Sequence, residues 1–188
     1  TTKEMIWSSN TSDHGGTKVQ MQDNGNLALM DNENKTVWQS FDHPTDTLLL
    51  GQILRNNTKL VSKVSRADFS SGPYSLSLVS NRDLCLMYSS GSDSEMDLSF
   101  SYWSMSKDAN TVNLLNGSPS YVELNSTGFS LMSEKGTVIS VYMVPCPSFC
   151  MVTLDPSGNL LFKVFSSNLL TTVHQAPASN CDLPLYCG

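Results

Sequence analysis

The sequence of this 188-residue chain is marked first by what it lacks. No window of about 11 residues shows the i, i+3, i+4, i+7 apolar spacing of an amphipathic helix, which argues against a helical fold. No apolar run approaches the ~20 residues that a membrane-spanning helix needs. Lysine and arginine form no cluster, and the formal net charge of −6 excludes a nucleic-acid partner on electrostatic grounds.

Metal-binding and catalytic motifs are lacking as well. The five cysteines include no Cys-x2-Cys pair, and only His174 lies near enough in the sequence to complete a zinc set. Ser40, His43 and Asp46 lie close together, but no nucleophile elbow or oxyanion loop accompanies them. We therefore predict no metal, no cofactor and no enzymatic activity.

Short segments that alternate apolar and polar residues fill the chain instead. Clear examples span residues 18–22, 26–30, 73–79 and 158–165. Turn-forming combinations of Asn, Asp, Gly, Ser and Pro separate them, as in hairpins of antiparallel sheets. The sequence therefore predicts an all-β fold.

One hairpin unit recurs along the chain. Its equivalent positions are Asn26, Asp83, Phe129 and Asn159. Each copy has a strand, a tight turn that favours Gly or Asn at positive φ, and a second strand with one buried face. The copies around Asn26 and Asn159 are the clearest, the copy around Phe129 is weaker, and the copy around Asp83 is the weakest. The repetition predicts several similar sheets.

A rigid corner is predicted between residues 37 and 52, which read Val-Trp-Gln-Ser-Phe-Asp-His-Pro-Thr-Asp-Thr-Leu-Leu-Leu-Gly-Gln. Pro44 favours extended geometry at His43, and Asp42 and Asp46 can accept hydrogen bonds from nearby backbone N–H groups. This segment closely resembles the signature that follows the bulb-type (mannose-binding) lectin domain in plant S-locus glycoproteins and G-type lectin S-receptor-like serine/threonine kinases.

The resemblance implies a β-prism, which consists of three four-stranded antiparallel sheets with one such hairpin per sheet. Residues 1–52 resemble the C-terminal part of a bulb-type lectin domain, a partial first prism. Residues 53–175 resemble a second, divergent prism, and residues 176–188 the start of an EGF-like module. We expect an ectodomain fragment of such a receptor-like kinase, or of a secreted tandem-lectin glycoprotein relative. A kinase domain, if present, would lie outside this fragment.

The mannose-binding hairpin of that family reads Gln-x-Asp-x-Asn-x-Val-x-Tyr. Its positions fall here on Gln22, Asn24, Asn26, Ala28 and Met30, of which Gln22 and Asn26 match. Asn24 keeps an acceptor without the charge, Ala28 reduces the apolar floor, and Met30 removes the hydroxyl. Losing a charge-assisted hydrogen bond and a hydroxyl costs about 2–4 kcal/mol. Because a millimolar affinity amounts to about −4 kcal/mol, most of it would be lost.

We therefore predict a degenerate sugar site at Gln22, Asn24 and Asn26. A simpler interpretation is that Asn24-Gly25 is only a hairpin turn, and that Asn26 satisfies the backbone groups of that turn.

The resemblance leads to a hypothesis of function: an extracellular, non-enzymatic recognition module of a plant S-domain lectin receptor-like protein. Its expected partners are a mannose-type glycan or another extracellular ligand, and a second copy of the chain or a partner ectodomain. One alternative is a functional carbohydrate-binding lectin that acts through multivalent weak mannose-type sites. Another is a structural spacer in a receptor ectodomain.

Cysteines and glycosylation sequons suit an extracellular location. The spacing of the cysteines favours disulfides over a zinc site, and the candidates for disulfides are Cys146, Cys150, Cys181 and Cys187. The resemblance implies that Cys181 and Cys187 pair with downstream cysteines that this chain lacks. Asn-x-Ser/Thr sequons occur at Asn10, Asn34, Asn56, Asn116 and Asn125.

Overall fold

The computed structural model describes residues 8–79, 83–91, 99–147 and 149–184. Within them, regular structure consists of β-strands and three short 3-10 helices, at Ser40–Asp42, Met105–Lys107 and Asn180–Asp182. All strand pairs are antiparallel, as the alternating segments require. The predicted all-β fold class is confirmed. No helix in the described part of the chain is both long and apolar enough to cross a membrane.

The chain divides into two compact units, Thr1–His43 and Pro44–Gly188. In the described residues of the first unit, three strands form one sheet in the order β1-β2-β3, with bounds β1 Lys18–Met21, β2 Leu27–Met30 and β3 Thr36–Gln39. Gly25 adopts a φ of +86° in the turn between β1 and β2, where an L side chain would be strained. The backbone groups of Gln22 close this turn by bonding to Gly25 and Asn26.

The described residues of the second unit form three sheets. Their strands are β4 Thr47–Leu49, β5 Ile53–Arg55, β6 Lys59–Lys63, β7 Ser71–Val79, β8 Asp83–Ser89, β9 Ser99–Ser104, β10 Thr111–Asn113, β11 Tyr121–Asn125, β12 Gly128–Met132, β13 Val138–Met143, β14 Cys150–Leu154, β15 Leu160–Ser166 and β16 Leu169–Ala176. The sheet orders are β10-β13-β12-β11-β5, β16-β15-β14-β4 and β6-β7-β8-β9. One sheet thus has five strands where four were expected, because the short strand β10 extends its edge.

A single apolar core joins the three sheets of the second unit. It contains Leu48 from β4, Leu76 from β7, Phe129 from β12 and Phe162 from β15, all nearly fully buried. The rings of Phe129 and Phe162 meet edge to face with centroids 5.3 Å apart. Three sheets packed around one core are the arrangement that the resemblance implied.

The strands after the predicted corner belong to the second unit. β4 pairs with β14 and β5 pairs with β11, so the segment 47–55 supplies an outer strand to two different sheets. Gly51, at a φ of +83°, turns the chain between them. The compact units therefore divide earlier than residue 52, and the domain limits 1–52, 53–175 and 176–188 remain predictions.

Candidate functional site

The first hairpin is organised around the side chain of Asn26, which is only 4 % exposed. Its Nδ2 donates hydrogen bonds to Oε1 of Gln22 at 3.2 Å and to Oε1 of Gln39 at 2.8 Å. Its Oδ1 accepts from Oγ of Ser40 and from the backbone N–H of Phe41, both at 3.2 Å. Because an amide offers two donor hydrogens and two lone pairs, this set engages the whole hydrogen-bonding capacity of the side chain. We call these five residues the Asn26 network.

The network joins the hairpin to the corner signature. Ser40 Oγ accepts from the backbone N–H of Leu27 at 2.9 Å while it donates to Asn26. Gln39 Nε2 in turn donates to Asp42 Oδ2 at 3.0 Å. Each residue of the segment Gln-Ser-Phe-Asp at 39–42 thus contributes a side chain or an N–H group to the hydrogen bonds that hold β3 against the hairpin. Sequence reasoning treated hairpin and corner separately and missed Gln39 and Ser40.

The three residues predicted to contact sugar differ in exposure. Asn24 is exposed, Gln22 is half-buried and Asn26 is buried. Asn24 Oδ1 accepts from the backbone N–H of Asn26 at 3.1 Å, as in an Asx turn. Ala28, the position of the apolar floor, is fully buried. The structure therefore brings the three amides together, but the central one is directed into the protein.

A similar anchor occurs in the second unit at Asp83. The strand pairing aligns the two hairpins: Cys85 of β8 pairs with Ser104 of β9, as Ala28 of β2 pairs with Gln39 of β3. Counting from these pairs, Ser106 is the equivalent of Phe41, and its backbone N–H donates to Asp83 Oδ1 at 3.0 Å. In each case a buried side-chain oxygen in the hairpin holds the 3-10 helix that follows the third strand.

The hairpin at Asn159 has lost this anchor. Leu161 pairs with Gln175, so Ala176 and Pro177 stand where the first hairpin has Ser40 and Phe41. Alanine has no hydroxyl and proline has no N–H, so neither can donate. Within the described residues, Oδ1 of Asn159 is buried without a hydrogen-bond partner. Such a group costs about 1–3 kcal/mol.

Ser40, His43 and Asp46, from which no catalytic triad was predicted, each contact other residues. The Ser40 hydroxyl belongs to the Asn26 network, the ring of His43 stacks on Trp38 at 5.4 Å, and Asp46 forms an ion pair with Lys63 at 3.0 Å. The described residues also contain no group of His, Cys, Asp and Glu side chains that could hold a metal ion.

Cysteine geometry places one disulfide between Cys146 and Cys150, so the expected presence of a disulfide is confirmed. Cys181 is exposed and carries no disulfide, and Cys187 lies outside the described residues. Cys85 is a buried thiol, and burial raises its pKa. A raised pKa keeps the thiol protonated and poorly nucleophilic, in agreement with a core position.

The sequons differ in accessibility. Four of their asparagines are exposed, namely Asn10, Asn34, Asn56 and Asn116. Asn125 is half-buried, and its Nδ2, the atom that would carry a glycan, donates to Oγ of Ser130 at 2.8 Å. Its Oδ1 accepts from the backbone N–H of Thr127 at 3.0 Å. Asn125 therefore functions as a turn residue.

A polar network crosses the aromatic core of the second unit. Asp108 Oδ2 accepts from Nε1 of Trp103 at 2.9 Å and from the hydroxyl of Tyr142 at 3.3 Å. The same hydroxyl lies 2.7 Å from Nε2 of His174. Burial, reinforced by the negative charge of Asp108, raises the pKa of Tyr142. Burial lowers the pKa of His174 below its usual 6.5, with the charge of Asp108 opposing that shift.

Comparison with known proteins shows similarity along nearly the whole chain. Residues 1–69 match the family described as D-mannose binding lectin. A G-type lectin S-receptor-like serine/threonine-protein kinase of Arabidopsis thaliana is 33 % identical over 185 residues, which are 97 % of this chain and 20 % of that protein. EP1-like glycoprotein 1 of Arabidopsis thaliana is 54 % identical over 77 residues, which are 40 % of this chain and 17 % of the glycoprotein.

Among solved structures, the Japanese Marasmius oreades lectin aligns with a TM-score of 0.46 and 15 % identity, covering 72 % of this chain and 93 % of its own. The chain spans about a fifth of the length of the first curated relatives that it matches, 20 % and 18 %.

Proposed function

Because the chain belongs to the bulb-type lectin and S-locus family, we propose that it is an extracellular, non-enzymatic recognition module of a plant lectin receptor-like protein. Support comes from the relatives, which include receptor-like kinases and EP1-like glycoproteins. The matched region is one fifth of the kinase and nearly all of this chain, 20 % and 97 % respectively. EP1-like glycoprotein 1 matches 40 % of this chain, so part of the module is common to both kinds of protein, and the function that we assign to it is recognition rather than phosphoryl transfer.

The observation that carries the proposal is the Asn26 network. In a working mannose hairpin, the central asparagine offers its amide to a sugar hydroxyl. Here both Nδ2 hydrogens and both Oδ1 lone pairs of Asn26 are engaged inside the protein. Together with the loss of the Asp and Tyr groups at Asn24 and Met30, this leaves a degenerate site. The ligand of the module is then one that other surfaces recognise, such as a different glycan, another extracellular ligand or a partner ectodomain.

The alternative of a weak mannose-binding lectin has one specific observation in its favour. Asn24 is exposed and Gln22 is half-buried on the same hairpin, so their amides remain close to solvent. Many copies displayed together could convert such weak contacts into useful avidity.

Restoring the lost groups tests the proposal. The double variant Asn24→Asp, Met30→Tyr recovers the family motif at the two altered positions, and aspartate keeps the acceptor that Asn24 offers to the backbone of Asn26. Recovery of about 2–4 kcal/mol corresponds to about 30-fold to 1,000-fold tighter binding.

The measurement is binding to multivalent mannose-type glycans, with folding checked by circular dichroism. We expect that the wild-type protein does not bind mannose-type glycans and that the variant does. Equal binding by both proteins would replace the proposal with the lectin alternative. If neither protein binds, the hairpin takes no part in mannose recognition, and the module recognises a ligand of another kind.

A further inference from the structure

A second candidate site lies in the second unit, away from the repeated hairpin turns. A concave cavity of about 480 Å³ opens beside β6, and its walls include Asp46, Val61, Lys63 and Phe69. Its size falls within the roughly 300–1,000 Å³ that is typical of small-ligand sites. We call it the Phe69 cavity.

An ordered ion pair forms one wall of this cavity. Lys63 Nζ lies 3.0 Å from Asp46 Oδ2, and the two side chains are 35 % and 12 % exposed. Asp46 Oδ1 accepts from the hydroxyls of Thr45 at 3.3 Å and of Thr47 at 3.1 Å. These bonds engage about three of the four lone-pair sites of the carboxylate, and the Lys63 ammonium, with three donors, directs one to Asp46. The pair therefore has both an acceptor site and donor hydrogens left for a ligand.

An exposed aromatic ring, in contact with Lys63, forms another part of the wall. Phe69 is 74 % exposed, which is high for a phenylalanine. Lys63 Nζ lies 4.6 Å from its ring centroid, so one face of the ring is held by the ammonium and the rest is presented to solvent.

The loop that carries Phe69 is well bonded. Ser65 Oγ accepts from the backbone N–H of Asp68 at 3.0 Å, and the carboxylate of Asp68 accepts from the N–H and the hydroxyl of Ser70. The bonds from the Ser70 side chain and backbone lower the pKa of Asp68, so its charge persists at neutral pH. Val64 N–H closes the loop on the carbonyl of Ser70 at 3.0 Å. The aromatic ring is thus exposed from a preorganised turn, which reduces the entropy cost of binding.

We propose that the Phe69 cavity binds one ring of a neutral glycan. The apolar C–H face of a pyranose packs on the part of the Phe69 ring that the Lys63 ammonium leaves open, and hydroxyls at the edge of the sugar accept from Lys63 and donate to Asp46. The ligand is neutral because the two charges of the cavity cancel each other. The net charge of −6 on the chain also disfavours an anion.

This inference deepens the proposed function and rests on it, because it names a ligand class and a place for a module whose hairpin site is degenerate. It differs from the family's hairpin site in every residue. A carboxylate and an ammonium beside an exposed aromatic ring combine the three contacts that a sugar ring needs, namely an acceptor, a donor and an apolar platform.

Substitutions at Phe69 test the inference with little risk to the fold, because the side chain is largely exposed. Phe69→Leu keeps apolar surface but removes the aromatic face, and Phe69→Trp keeps an aromatic face. Phe165→Ala is the control, since Phe165 is another partly exposed phenylalanine, 46 % exposed, on β15. Each protein is displayed multivalently on an array of neutral and acidic glycans, and its folding is checked by thermal unfolding.

We expect wild type to bind a neutral glycan, with binding weakened about threefold to tenfold per site in Phe69→Leu. Phe69→Trp and Phe165→Ala should bind like wild type, and binding should change little between low and high salt. Binding that survives in Phe69→Leu but falls in Gln22→Ala would overturn the inference and assign the sugar to the hairpin.

The inference would also be overturned if the folded wild-type protein bound no glycan on the array. That result would not contradict the proposed function, because a recognition module could still bind a ligand that is not a sugar. Selective binding of acidic glycans that weakens with salt would refute the neutral-ligand assignment.

Discussion

Replacing Asn26 by alanine tests whether this residue stabilises the hairpin rather than serving a ligand. The change removes four side-chain hydrogen bonds, to Gln22, Gln39, Ser40 and Phe41. At about 1 kcal/mol net for each bond, we expect a local loss of about 3–5 kcal/mol. Asn26→Asp keeps the acceptor for Ser40 and Phe41 but loses both donors, so its cost should be about half.

Hydrogen exchange measured by mass spectrometry reads this effect locally. Peptides that cover Leu27 and Phe41 report the two backbone N–H groups that the Asn26 network holds. A loss of 3 kcal/mol corresponds to at least about 100-fold faster exchange there, or to complete loss of protection. The matched control is Asn32→Ala, at an exposed asparagine of the same unit. Unchanged protection in Asn26→Ala would refute the structural role and return Asn26 to the list of sugar contacts.

Three further predictions concern the second unit. Ala176→Ser should stabilise the protein by about 1 kcal/mol in urea unfolding, because its hydroxyl can donate to the unpartnered Oδ1 of Asn159; a loss of stability would contradict the equivalence of Ala176 and Ser40. The His174 pKa is lowered on folding, so its contribution to stability is complete above pH 6.5 and falls as pH drops through the folded pKa. Unfolding free energies at pH 7.5 and 5 should therefore differ less in His174→Gln than in wild type, and equal pH dependence would disprove the argument. Glycopeptide mapping after secretion should find the four exposed sequons occupied and Asn125 empty, since its Nδ2 is bound to Ser130; an occupied Asn125 would be the contrary result.

The fold was largely predictable because its signals are local. Alternation along β6, β7 and β11 places apolar side chains such as Leu60, Leu76 and Val122 on one buried face. Asn, Asp and Gly in the turns mark where strands reverse, as Gly25 does between β1 and β2. The extra strand β10 was not foreseen, because Thr111–Asn113 is short and mostly exposed and has no alternation to detect.

The candidate site was less predictable because its contacts are distant in sequence. Gln22, Asn24 and Asn26 were identified from a motif, which names residue types but not the partners that they find. The Phe69 cavity had no sequence signal, since Asp46 and Phe69 are separated by the three strands β4, β5 and β6 and the turns that follow them. Only the pairing of β6 with β7 places Lys63 and the loop of Phe69 beside each other.

By itself, the sequence determined that the chain forms antiparallel β-strands with tight turns, and which family it resembles. Those properties depend on neighbouring residues, whose spacing sets the face that is buried and whose backbone preferences set the turns. Tertiary structure alone decided how Asn26 is used. Its partners Gln39 and Phe41 lie 13 and 15 positions away and reach it only through the register in which β2 pairs with β3. The same register places Ala176 and Pro177 beside Asn159, so an asparagine at an equivalent position has a different environment. A side chain's role follows from the donors and acceptors that the fold brings to it, and residue identity does not specify them.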